Sequence, residues 1–162
     1  MKLHISKRLQ LIIDMCEPCD TIVDVGTDHG KVAISLANLK ISNTVIAIDN
    51  KIGPINTCKE NAKMYLNDDS AKLLIEQSSG IETLNKTTEY GIIITGIGYD
   101  NMREIISNIN EYNFKYLILS PHTKITELIK YIEEKNMDVT EQKNIYEADK
   151  YYYIIKVKKR GE

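Results

Sequence analysis

The sequence predicts an α/β fold: a mostly parallel, doubly wound sheet ending in an antiparallel hairpin, in a single domain over residues 1–162. Short runs that are apolar at every position alternate with stretches apolar at helical spacing, the mark of strands covered on both faces by helices. Only the last part of the chain switches to alternating polar and apolar residues, which suits strands with one face in water.

Thr21-Ile22-Val23-Asp24-Val25 is a β-branched run stopped by Gly26. Lys31 to Leu39 then spaces Val32, Ala33, Leu36 and Leu39 as one helix face. Thr44 to Ile48 reads as a second buried strand, closed by Asp49. Gly53-Pro54 opens a helix to about Leu66, because proline in a first turn forfeits no hydrogen bond. Asn67-Asp68-Asp69-Ser70 breaks it, and Lys72 to Glu76 is a third strand. Ile92 to Thr95 is a fourth, ending at Gly96-Ile97-Gly98, and Met102 to Ile109 is helical. Tyr116 to Leu119 is a fifth, cut off by Ser120-Pro121, and Ile125, Leu128, Ile129 and Ile132 stripe the helix after it. Val139 to Tyr146 and Tyr151 to Lys158 form the closing pair around Ala148-Asp149.

Composition narrows the function. Hydrophobic residues make up 43% and charged residues 27%, ordinary globular values that argue against disorder. No apolar run approaches the ~20 residues of a membrane-spanning helix. The N-terminus, with Lys2, Lys7, Arg8 and Asp14, does not read as a secretory signal, so a reducing cytoplasm is expected. Cys16-Glu17-Pro18-Cys19 spells a CxxC without the second ligand pair that zinc needs, so no metal is expected and both are read as loop cysteines. The net charge of −2 gives no global field for a polyanion. Basic residues crowd both ends, Lys2, Lys7 and Arg8 at one and Lys156, Lys158, Lys159 and Arg160 at the other; both clusters read equally as solvated chain ends or local patches.

The chemistry concentrates at strand tips, where doubly wound sheets bind ligands. In Asp24-Val25-Gly26-Thr27-Asp28-His29-Gly30, Gly26 permits a sharp bend with a ligand close by, and Gly30 opens a helix whose free N–H groups favour an anion. Asp24 and Asp28 put negative charge where a pyrophosphate would sit, so a ligand carrying an ammonium beside its carboxylate is the better match, and S-adenosyl-L-methionine has both. Asp49 stands about 20 residues on, the spacing at which a carboxylate takes ribose hydroxyls; its plainer role is a helix cap. Ser78-Ser79-Gly80-Ile81 offers hydrogen bonds to an adenine edge, or a backbone-capping turn. Gly96-Ile97-Gly98-Tyr99 leaves room for a flat acceptor on which Tyr99 would stack, and Ser120-Pro121-His122 brings His122 to it; both also read as surface turns.

In this order, these motifs resemble the TrmK-type family of bacterial tRNA methyltransferases, which modify N1 of the adenine at tRNA position 22. The resemblance runs from Ser6-Lys7-Arg8-Leu9 through the Val23 to Gly30 turn and Ala47-Ile48-Asp49-Asn50-Lys51-Ile52-Gly53-Pro54 to the Tyr146–Tyr153 hairpin. It implies a Rossmann-like class I methyltransferase domain binding S-adenosyl-L-methionine through Asp24, Gly26, Thr27, Asp28, His29, Gly30, Asp49, Asn50, Ser79 and Gly80. It further implies tRNA as partner, with Lys7 and Arg8 toward the acceptor or cleft and Gly96, Gly98, Tyr99 and His122 at the transfer site. Three positions depart from the family pattern: Ser79 stands for an Asp, Tyr99 for a Gly, and Ser120-Pro121-His122 for Gln-Pro-Asn. The family usually carries a C-terminal helical extension as well, which would lie beyond Glu162. Three activities therefore stay open: methylation of tRNA adenine, methylation of another RNA or a small molecule, and cofactor binding without catalysis.

Overall fold

A computed structural model describes residues 2–161, leaving Met1 and Glu162 of the expected domain outside the described residues. Ser6 caps the first helix, α1 (Lys7–Met15), its hydroxyl accepting from the Leu9 N–H at 3.3 Å. The chain continues through β1 (Cys19–Val25), α2 (Lys31–Leu39), β2 (Ser42–Asp49), α3 (Ile52–Tyr65), β3 (Lys72–Gln77) and β4 (Tyr90–Thr95). It ends with α4 (Tyr99–Ile106), β5 (Phe114–Ser120), α5 (Ile125–Glu134), β6 (Met137–Glu147) and β7 (Lys150–Lys159).

The seven strands form one sheet in the order β3-β2-β1-β4-β5-β7-β6. All pairs from β3 to β5 are parallel, whereas β7 runs antiparallel between β5 and the edge strand β6. Alternation along each strand feeds two cores. Val23, Val25, Ile92, Ile94, Leu117 and Ile155 pack with Met102, Ile106, Leu128 and Ile132 of α4 and α5. Ile22, Val45, Ala47, Ile93, Ile118 and Ile154 meet Ile12, Leu36 and Cys58 of α1, α2 and α3. This fold matches the expectation, with two local differences. Helix α4 begins at Tyr99 instead of Met102, because Gly98 already takes the extended conformation of a cap. Ile109 falls in a separate 3₁₀ turn.

The C-terminal basic cluster is not a solvated chain end. β7 lies inside the sheet, so Lys156 is buried with 8% exposure and pairs with Glu17. Lys158 joins the same carboxylate at 2.9 Å, and Arg160 pairs with Asp138 at 3.1 Å. The CxxC cysteines end α1 and open β1 as free thiols, and burial pushes Cys16 up to about 12. Among the described residues, no helix is long and apolar enough to cross a membrane, and no three metal-ligating side chains come together.

Gly91 in β4 shows how tightly one face is filled. The Tyr116 ring lies where a Cβ would stand, 2.3 Å from its Cζ, and the Tyr116 hydroxyl donates to the Glu17 carbonyl at 3.0 Å. Gly91→Ala should destabilise the chain by about 1–3 kcal/mol, the range for overpacked cores, read as a lower urea midpoint. Combined with Tyr116→Leu, the loss should be less than additive; strict additivity would deny the contact.

Candidate functional site

The site is built where the strand order reverses, between β1 and β4. Gly26 leaves β1 with φ of +79°, and a Cβ there would stand 2.6 Å from the Thr95 carbonyl of β4. Only glycine lets the two tips lie this close. The Gly26 and Thr27 N–H groups both donate to the Ile48 carbonyl of β2 at 2.9 Å. Asp49 completes the clasp: its Oδ2 accepts from the Asp28 N–H and its Oδ1 from the Lys51 N–H, each at 3.1 Å. A carboxylate has about four lone-pair sites, so each oxygen keeps one free for a hydroxyl donor. The cap and ligand readings of Asp49 are therefore compatible.

A cleft of about 930 Å³ opens beyond these tips and is lined by Gly26, Asp28, Asp49, Asn50, Ser79, Gly80, Gly96, Gly98 and His122. His122 is exposed, and its N–H donates to the Ile97 carbonyl at 3.2 Å, joining the loops after β4 and β5. Ser78 of the Ser78–Ile81 turn lines the cleft as well, and Glu82, Asn101 and Ile105 do so without having been singled out in the sequence. Glu82 closes the loop after β3, where it accepts from the Ser78 hydroxyl at 3.0 Å. Asn101 reaches the wall because α4 starts early, a capping detail that hydrophobic spacing does not reveal.

A second cavity of about 250 Å³ is lined by Arg8, Asp24, Thr27 and His29 and shares Gly26, Asp28 and Gly96 with the larger one. Asp24 is buried, and burial raises its pKa to about 6 although the Thr27 hydroxyl donates to it at 2.9 Å; Asp49 and Asp28 add repulsion. None of the influences on its titration is a cation. Arg8, in the same lining, is held by the tip of the β6–β7 hairpin. Its guanidinium lies 4.7 Å from the centre of the Tyr152 ring, its Nε is 3.7 Å from Glu147, and its backbone N–H donates to Glu147 at 3.2 Å. The Arg8 Nε is buried without a hydrogen-bond partner. The cavity thus offers a carboxylate lacking a cation and an arginine with unspent donor capacity, a set suited to an amino-acid zwitterion. His29 is exposed, its Nε2 3.4 Å from Asp28.

Three of the residues singled out in the sequence line neither cavity. Gly30 caps α2 with φ of +79°, and a Cβ there would stand 2.4 Å from the Cys58 Sγ, so its small size serves the packing of α2 on α3. Lys7 is exposed on the first turn of α1. Tyr99 is half-buried against the α4–α5 core, with the Lys124 ammonium 5.6 Å from its ring centre.

Solved structures share this architecture. M. capricolum TrmK in complex with S-adenosyl-homocysteine is 23% identical, with a TM-score of 0.83 over 96% of this chain and 69% of that one. A Streptococcus pneumoniae protein in complex with S-adenosyl-L-methionine is 23% identical, with a TM-score of 0.87 over 98% of this chain and 75% of that one. The B. subtilis m1A22 tRNA methyltransferase TrmK is 18% identical, with a TM-score of 0.82 over 98% and 68%. At such identities the likeness establishes the fold. No curated protein matches the sequence. The methyltransferase domain family matches residues 5–155, nearly the whole chain, and the chain belongs to that family.

Proposed function

We propose that this chain is an S-adenosyl-L-methionine-dependent methyltransferase acting on N1 of an adenine in tRNA. The observation that carries the reading is the pair of neighbouring cavities, one large enough for an adenosyl group and one bearing both signs of charge, which share Gly26, Asp28 and Gly96 in their walls. The two cofactor-bound neighbours and the B. subtilis m1A22 tRNA methyltransferase support it.

Asp49 would receive the ribose hydroxyls on its free lone pairs, while Ser79, Gly80 and Glu82 face the adenine. Asp24 would take the ammonium and Arg8 the carboxylate of the methionine end. Bound in this way, the cofactor supplies an electrophilic methyl group on its sulfonium. Adenine N1 already holds a lone pair, so the chain needs no activated side-chain nucleophile, and its task is alignment. The Gly96 and Gly98 backbone and His122 border the space where a flipped-out base would lie. The Tyr99 ring, expected from the sequence to stack on the acceptor, packs against the core, and the glycine turn stays open. Tyr99 is therefore assigned to supporting the turn, not to stacking on the target base.

Incubating bulk tRNA with the protein and cofactor, then analysing its nucleosides by mass spectrometry, should yield new 1-methyladenosine. Methylation at another position would correct the target, and cofactor binding without any product would favour a non-catalytic module.

Asp24 gives a pH signature. Its pKa lies near 6 in the folded chain against an ordinary 3.8, so between these values the folded state binds more protons than the unfolded one. Stability contributed at this position is present at low pH and falls as pH rises through that window, by about 3 kcal/mol in all. Asp24→Asn should flatten this dependence. A ligand ammonium pairs with the ionised form alone, so S-adenosylhomocysteine affinity in the native chain should rise from about pH 5 to about pH 7 and level off. An affinity independent of pH over that range would remove Asp24 from the cofactor site.

A further inference from the structure

The β6–β7 hairpin presents an aromatic surface that the proposed chemistry leaves unused. Tyr146 and Tyr151 face each other across the strands with ring centres 4.8 Å apart, yet they are 58% and 66% exposed. Tyr153 lies two residues along the same face and is also exposed. Strand β7 pairs with β5 as far as Leu119 opposite Ile155 and β5 ends one residue on at Ser120, so Tyr151 to Tyr153 run past the carboxyl end of the parallel sheet by about 10 Å. They project on the side where the cleft opens. The opposite face of the same tip carries Tyr152 and Glu147, which hold Arg8 at the cavity wall. The tip is closed tightly: only Ala148 and Asp149 separate the strands, both at positive φ, as a two-residue hairpin turn demands.

We infer that Tyr146 and Tyr151 form a stacking platform for unpaired RNA bases next to the one in the cleft. This rests on the proposed RNA acceptor. Exposed rings with polar tips, fixed in place before binding, suit bases, whose π-faces any aromatic ring can meet. An enzyme that must take a base out of its stack gains from holding the neighbours thereby unstacked. Position favours nucleic acid over a second copy of the chain, because the same hairpin tip holds Arg8 in the lining of the smaller cavity.

The test uses the full chain with Tyr146→Leu and Tyr151→Leu combined, keeping an apolar cross-strand pair. Fluorescence anisotropy with labelled bulk tRNA reads binding, calorimetry with S-adenosylhomocysteine reads the cofactor site, and a thermal melt reads folding. The variant should bind tRNA about tenfold or more weakly, the loss of stacking by one or two bases, with cofactor affinity and melting point retained. The chain has no tryptophan, so tRNA should also quench its tyrosine emission, and less so in the variant. If the native chain binds and methylates tRNA and the variant binds equally well, the platform is refuted and the acceptor assignment stands. If the native chain binds no tRNA, both are refuted. A dimer in sedimentation that the variant alone loses would make the surface a self-association patch and overturn the inference.

Discussion

The site depends on one side chain holding two strand tips together. The Asp49 carboxylate accepts from the Asp28 N–H after β1 and from the Lys51 N–H at the entry to α3. Remove that carboxylate and two backbone donors lose their partner, while the bend at Gly26 keeps only its bonds to Ile48. The interaction spans the strand neighbours that any ligand at the switch point must bridge. The same group therefore shapes the floor of the cleft and faces into it. An aspartate at this point serves as a cap and as a ligand-facing acceptor at once, because a carboxylate accepts more bonds than the backbone uses.

The smaller cavity carries both signs of charge in its lining. Asp24 is buried in β1, where burial raises its pKa, and Arg8 lines the same cavity. Arg8 comes from the first helix, but its position is set by Glu147 and Tyr152 at the far end of the chain. The antiparallel hairpin is thus more than an edge to the sheet. It fixes a cationic group beside a cavity whose other walls come from β1 and β4, and it carries the exposed tyrosines on its outer face.

Much of this was legible in the sequence, and the reasons differ by residue. Strands β1, β2, β4 and β5 announce themselves because burial on both faces demands unbroken apolar runs, and Gly26 and Asp49 stand out because they end such runs. The switch to alternation after Met137 similarly betrays the antiparallel pair. Periodicity is silent about contacts made across the sheet. Nothing local shows that Lys156 pairs with Glu17, that Glu147 holds Arg8, or that Gly30 is small to admit Cys58. Each joins residues distant in the chain. Tyr99 is the reverse case: its neighbours Gly98 and Asp100 suggest a loop, but the extended Gly98 starts a helix whose first turn carries the ring into the core.

The account is tested most directly by calorimetric titration of S-adenosylhomocysteine into the native chain and Asp49→Ala. Loss of two charge-assisted hydrogen bonds to the ribose should weaken binding by about a hundredfold or more. Asp49→Asn, which keeps one acceptor, should fall between the two. Equal affinity in a folded Asp49→Ala chain would contradict the assignment of this clasp as the cofactor's anchor.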